Sequence, residues 1–302
     1  MAVKMNRENF GELLTPIHKK IFFESYGEKQ KAYPSTFKIE KMDAKEMSFV
    51  HEGALGQWNS NTEGADFNLD SFTEGERITF EATRYDKSYE VTWELMQDDQ
   101  YNVFKGIGKG GSAKGLSRGL AATEESKAAA VICGGFTNSG YDDTSLFSDA
   151  HPLLDSADTC SNLVEGALSD ETLKEALTKM RLQTDEAGVL IASHADQLVV
   201  HPDWEFTARA IVGSTLQAGT NLNDKNTVPS LKIVVWDYLA QGDAKPWYVQ
   251  DTSIDNLIFA WREKPIFDSE KIQGKMDYRF YGYCRFATGY VDFRGLVGSK
   301  GV

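Results

Sequence analysis

The chain has 302 residues, 41% of them hydrophobic, and a formal net charge of −13. That length supports a sizeable core in one elaborate domain or two lobes, and the acidic balance disfavours nucleic-acid binding because it repels phosphates and gains nothing from counterion release. No stretch approaches the ~18 apolar residues of a membrane span, and the start MAVKMNRENFGELL has neither the apolar core nor the cleavage site of a secretory signal.

Residues 1–37 read as an extended arm with a short helical patch over 13–23, broken near Gly27 and Pro34. Strand-like alternation then runs to residue 93. In RITFEATRYDKSYEVTWEL, Ile78, Phe80 and Ala82 alternate with polar residues, and so do Tyr89, Val91 and Trp93. Between Gly53 and Gly75 lies a polar, glycine-rich stretch too long for an ordinary turn; loops of that length are usually functional or disordered. Thr123 is placed to cap a helix through EESKAAAVIC to Gly134, with Glu124 and Glu125 at its positive end. Ser169 caps a further helix whose apolar face is Leu173, Ala176, Leu177 and Met180. GVLIA at 188–192 and QLVV at 197–200 read as short buried strands. Pro202 opens a third helix with Trp204, Ala208, Ile211, Val212 and Thr215 on one side, closing at Gly219. The remainder is mostly strand, ending in the aromatic run DYRFYGYCRFATGYVDFRG. The mix is α+β, with appendages that a single compact body cannot bury, which points to a protein that assembles.

The charge is unevenly spread. Residues 1–45 hold nine Lys/Arg against six Asp/Glu, whereas 46–76 hold seven Asp/Glu and no Lys or Arg. Charge runs of this kind are often only solvated surface, and a basic arm complementary to an acidic loop is the functional alternative.

Five features of the sequence are candidates for chemistry. KGIGKGGSAKGLSRGL contains a G-x-G-x-x-G spacing at Gly106, Gly108 and Gly111, yet ELMQDDQYNVF upstream is no buried strand, and Ser112 stands where a Walker loop requires Lys. With six glycines over 106–119, each costing about 1 kcal/mol in a helix, that stretch is expected to break any helix. The histidines His18, His51, His151, His194 and His201 lack metal-ligand spacing, and turn or cap roles suit them better. Cys133, Cys160 and Cys284 form no C-x-x-C pair and suit reduced cytoplasmic thiols, without disulfides or a zinc knuckle. Asp98 with Asp99, and Asp142 with Asp143, are adjacent, so each pair diverges in a strand or a helix. Tyr278, Phe280, Tyr281, Tyr283 and Phe286, interleaved with Arg279 and Arg285, match a base-stacking platform less well than one buried aromatic strand face. No metal, cofactor or catalytic group is expected, and nothing here requires an enzyme.

The segments SLFSDAHPLL (145–154), SNLVEGALSDETLKEALTKMRLQTDEAGVLIA (161–192), LVVHPDWEFTARAIVGSTLQAGTNLNDKN (198–226) and the ending RFATGYVDFRGLVGS resemble the major capsid proteins of tailed bacteriophages, and more narrowly the Mu-like major head subunit branch. The resemblance covers Thr79 to the end; the preceding arm and loop are assigned by order along the chain. It implies the Hong Kong 97-type capsid fold: an arm at 1–37, an extended loop at 38–93, a spine helix and peripheral domain at 94–186, an axial domain at 187–272, and a return to the peripheral domain at 273–302. A spine broken or shortened at 106–119 is expected.

Function then follows as structure. The resemblance implies pentamers and hexamers closing into an icosahedral shell around double-stranded phage DNA, without sequence-specific binding and without a membrane. The partners implied are further copies of the chain, a separate scaffolding protein and a portal, with a maturation protease or decoration protein as further candidates. Assembly would take place in the bacterial host cytoplasm. Candidate inter-subunit contacts pair Lys19, Lys20, Lys29 and Lys31 of the arm with Glu52, Glu63, Asp66, Asp70, Glu74 and Glu76 of a neighbour's loop. An encapsulin-like compartment, which shares the fold, and a nucleotide-binding enzyme using 106–111 are the alternatives.

Overall fold

The computed structural model describes residues 10–69, 71, 73–92, 94–95, 98, 111–154, 158–214, 225–275 and 277–301, with side chains in the first helix described from His18 onward. In chain order the elements are α1 (Phe10–Gly27), β1 (Lys38–Lys41), β2 (Glu46–Glu52), β3 (Glu74–Glu81), β4 (Thr83–Val91), α2 (Ser112–Gly134), β5 (His151–Pro152), β6 (Thr159–Cys160) and α3 (Asp170–Arg181). They continue with β7 (Gln197–Val200), α4 (Glu205–Gly213), β8 (Lys232–Val235), β9 (Trp247–Gln250), β10 (Leu257–Lys271), β11 (Tyr278–Tyr290) and β12 (Leu296–Ser299).

Two four-stranded sheets organise the body, in the orders β1-β10-β11-β4 and β12-β9-β7-β8. The long pair β10 and β11 is antiparallel, with register shifts between Trp261 and Ile266. β11 alternates as its sequence demands: Tyr278, Phe280, Cys284 and Phe286 are buried, while Arg279, Tyr281, Tyr283 and Arg285 lie half-buried on the other face. This is the buried aromatic face expected from the sequence, with Phe286 stacked on Tyr85 and on Phe259 at 4.5 and 4.8 Å. In the second sheet β7 and β9 are buried on both sides. Leu198, Val200, Trp247 and Val249 face α3 and α4, whereas Val199 and Tyr248 join the central core with Trp236, Phe259 and Phe293.

α3 begins at the expected cap. Ser169 Oγ accepts from Thr172 N and the Thr172 hydroxyl returns to Ser169 N, so two orphan amide donors are satisfied reciprocally. Leu173, Ala176 and Met180 are buried.

Five expectations need correction. α1 is a helix of 18 residues rather than a short patch. α2 starts at Ser112 and passes through Gly115 and Gly119, so the glycine run does not break the helix there; residues 106–110 lie outside the described residues. Thr123 does not cap α2: it sits mid-helix with its hydroxyl donating to Gly119 O, and Glu124 and Glu125 are interior to the helix. GVLIA is no buried strand, since Leu190 makes one isolated bridge to Thr184 and Leu190 and Ile191 are exposed. The third helix is preceded by a 3-10 turn over Pro202–Trp204 that His201 caps through Asp203 N, and Thr215 and Gly219 lie outside the described residues, as does Trp93.

Packing explains why α2 tolerates its glycines. Leu116, Ala121, Ala128, Ala129 and Ile132 are buried along the helix, and a Cβ at Gly282 of β11 would sit 3.2 Å from the Leu116 side chain, so helix and sheet approach closely there. Tertiary burial of a whole face outweighs two propensity penalties. No atom lies within 4 Å of a Cβ built at Gly115 or Gly119. Gly115→Ala and Gly119→Ala are therefore each expected to stabilise the unassembled subunit by about 0.5–1 kcal/mol, read as a higher midpoint in urea unfolding.

Candidate assembly surface

Two appendages leave the body, and each is held by a buried carboxylate. The first is α1 with the segment to residue 35. Glu124, fully buried in the middle of α2, accepts hydrogen bonds from Tyr26 Oη (2.5 Å), Lys31 Nζ (2.7 Å) and Tyr33 Oη (3.1 Å). Its neighbour Glu125 accepts from Ala32 N (2.7 Å) and from Trp236 Nε1 (2.6 Å). Adjacent helix residues diverge by about 100°, so the two carboxylates reach different partners, one the arm alone and the other the arm and Trp236. Lys31 Nζ also lies 3.5 Å over the Tyr26 ring. Burial raises the Tyr26 and Tyr33 hydroxyls well above the ordinary phenol range, with the Glu124 charge adding to it, so both stay protonated as donors. Burial also raises Glu125, against the opposing hydrogen bonds from Trp236 and the Ala32 amide. The arm packs further through Phe22, stacked on Phe267 at 4.9 Å, and His18, stacked on Phe280 at 4.6 Å.

The second appendage is the antiparallel hairpin of β2 and β3, the middle part of the 38–93 segment; β1 and β4 on either side of it belong to the first sheet. Its base packs by Met47, Phe49, Ile78 and Phe80 against Ile258, Ala260 and Ala287. Further out, His51 Nε2 meets Glu186 Oε1 at 2.5 Å. Glu186 is buried and also receives Arg294 Nη2 (2.7 Å) and the Leu154 amide (2.7 Å). Burial works to raise this carboxyl, but the hydrogen bonds from His51 and Leu154 and the Arg294 charge outweigh it and hold the group at about 2. Beyond His51 the chain is open to solvent: Trp58, Phe67 and Leu69 are 99%, 96% and 98% exposed.

The candidate contact residues fall into three groups. Lys19, Lys20 and Lys29 are exposed, with Lys20 3.7 Å from Glu24 one turn on. Glu52, Glu63, Asp66, Glu74 and Glu76 are exposed along the hairpin, and Asp70 lies outside the described residues. Lys31 stands apart: its Nζ is paired with Glu124 of its own subunit at 2.7 Å and its side chain is mostly buried. Sequence reading missed Glu124, Glu125 and Glu186, which look like ordinary helix and turn acids. The one local signal is that AATEESKAAAVIC sets two acids between apolar residues of a helix.

Elsewhere His151 is buried and stacked on Phe293 at 3.7 Å, with Nδ1 2.6 Å from Asp142, so it serves the turn at 142–151. No cluster of three metal-ligating side chains occurs among the described residues, and no helix of the described residues is long and apolar enough to cross a membrane.

A body of two sheets that leaves a pinned arm and an exposed apolar hairpin is the form of a protein that completes itself against copies of its own chain. The phage capsid protein family matches residues 75–299, and the chain belongs to that family. It is a phage capsid protein, a structural component of a viral shell. Solved structures share its mixed α and β fold, the Hong Kong 97-type capsid fold. The capsid of cyanophage P-SCSP1u aligns with a TM-score of 0.61 at 11% identity, covering 91% of this chain and 89% of that one. Mycobacterium phage Adephagia gives 0.58 at 12%, covering 90% of each chain, and the procapsid of bacteriophage JBD30 gives 0.51 at 14%, covering 98% of this chain and 76% of that one. No curated protein matches the sequence.

Two outcomes test the carboxylates. Glu124→Gln leaves Lys31 without its counter-ion in a mostly buried setting, with an expected loss of about 3 kcal/mol and faster tryptic cleavage at Lys29 and Lys31. Glu186 is lowered on folding from an ordinary 4.5 to about 2, so its stabilising contribution is present above pH 4.5 and is lost as pH falls towards 2. Over that window wild-type stability should fall more steeply than that of Glu186→Gln, measured by urea unfolding at each pH.

Proposed function

We propose that the subunit forms pentamers and hexamers that close around double-stranded phage DNA, and that the exposed hairpin of one copy meets the arm of the next. The observation that carries this is the loop: three large apolar side chains are almost wholly exposed, and the surrounding 46–76 segment carries seven acids and no basic residue. Three such side chains within residues 58–69 give a partner apolar area to cover. Lys19 and Lys20 on α1, with Lys29 just after it, supply the opposite charge. Exposed pairs are worth only about 0–1 kcal/mol each, but a shell repeats them many times.

On this reading 1–37 is the arm, 38–93 the extended loop, 94–186 the spine and peripheral region, 187–272 the axial domain and 273–302 the return to the peripheral domain. The role is structural rather than catalytic. The net charge of −13 suits a wall that contains DNA without gripping it. A separate scaffolding protein and a portal are the further partners, and assembly takes place in the host cytoplasm. Placement in the Mu-like branch rests on the segments 145–154, 161–192 and 198–226.

Negative-stain electron microscopy and sedimentation of the full chain, alone and with its scaffolding protein, test the reading. Closed shells, tubes or capsomer rings are expected; a persistent monomer or dimer in both preparations would overturn it. The triple variant Lys19→Glu, Lys20→Glu and Lys29→Glu should give fewer shells, with a yield that changes strongly with salt. Normal, salt-independent shells from that variant would reject the arm-to-loop contact.

A further inference from the structure

We propose that His51 and Glu186 form a releasable latch that fixes the direction in which the 53–73 loop leaves the body. The inference rests on the shell reading only for its use: one sequence must fill non-equivalent places in a shell, so an element that reaches a neighbour needs more than one direction.

His51 sits where the β2–β3 register shifts, between Val50 paired with Arg77 and Glu52 paired with Glu74. The extra residue lies on β3, where Gly75 and Glu76 oppose His51, and the imidazole faces the body by the same alternation that places Met47 and Phe49 there. The contact of His51 with Glu186 is the outermost side-chain hydrogen bond from the hairpin to the body among the described residues. Inside it, Phe49 and Phe80 are fixed by apolar packing; level with it, across the strand, Gly75 approaches Leu154, where an added Cβ would lie 2.6 Å from Leu154 Cδ1.

Release is made easy by what stays behind. Glu186 Oε1 is shared between His51 and Arg294, and Oε2 is held by the Leu154 amide. If His51 swings out, the buried carboxylate keeps a guanidinium and an amide. Arg294 in turn stays with Asp292 at 3.1 Å and donates to Thr184 O, while Tyr141, whose ring lies 5.0 Å from that of His51, keeps its hydrogen bond to Asp292. Opening thus sends an imidazole into water and leaves the buried carboxylate still paired with Arg294, which avoids the uncompensated buried charge that makes breaking such a contact costly. The arm is the opposite case, since withdrawing Lys31 leaves Glu124 with tyrosine hydroxyls and no cation among the described residues.

The test uses the unassembled full chain, so it is independent of shell formation. Spin labels are placed at Asn61→Cys in the loop and Glu171→Cys on α3, with Cys133→Ala to prevent labelling of the native thiol that is not fully buried, and pulsed dipolar spectroscopy gives their distance distribution. Asn61 lies ten residues beyond His51, a lever of up to about 33 Å, so a swing of about 20° moves the label by about 10 Å. With His51→Ala the distribution is expected to shift or broaden by that amount, with His51→Gln, which can still donate to Glu186, returning it towards wild type. Hydrogen exchange at Leu154 and over 292–295 should stay within twofold of wild type. An unchanged distribution in His51→Ala would overturn the latch, and so would lost protection at Leu154 and 292–295, which would make His51 a keystone of the body instead.

Discussion

A carboxylate buried in a protein must be paired, and the arrangement of this subunit turns on that constraint at Glu124 and Glu125. Both sit in the middle of α2, the helix laid across β11, and neither could be there without the donors that surround it. Those donors come mainly from the segment 26–33, so α1 and its continuation are drawn onto the helix. With the arm in place, Phe22 and His18 cover the end of the first sheet, and Tyr33 stacks on Phe259 at 4.4 Å in the central core. Arm, helix and sheet therefore form one unit.

Glu186 applies the same constraint with a different outcome. It gathers His51, Leu154 and Arg294 from three separate parts of the chain, so the hairpin, the 153–154 turn and the segment before β12 meet at one carboxylate. The two knots differ in redundancy. Glu124 has a single cation and Glu186 has an arginine in addition to the histidine. On the proposed reading, in which the loop of one copy reaches the arm of the next, that difference holds the arm more firmly than the loop.

Function rests on what the body does not cover. Trp58, Phe67 and Leu69 have no place in any of the four apolar clusters among the described residues, and burying three such side chains offers roughly 1.5–3 kcal/mol each to any partner that accepts them. Such a loop disadvantages an isolated monomer and suits a shell, where a neighbour is always present. Membership of the phage capsid protein family agrees with that physical argument, and low identity to solved shells shows that the architecture persists while side chains change.

Patterned elements were legible in the amino-acid sequence because their signals are local. Alternation over 78–82 and along β11, the Ser169 cap of α3 and the long polar interval after Gly53 depend on period and on hydrogen bonds within a few residues. The unbroken start of α2 and the pairing of Lys31 within its own subunit were decided by tertiary structure. In both cases the deciding partner is far away in sequence: β11 packs against α2 at Gly282, and Glu124 lies 93 residues from Lys31. Residue order therefore determined which segments are apolar, acidic or capped, and so that an arm and an acidic loop exist. Which charges remain free to meet a neighbour was settled only by folding, because a buried carboxylate takes the donors that the fold brings to it.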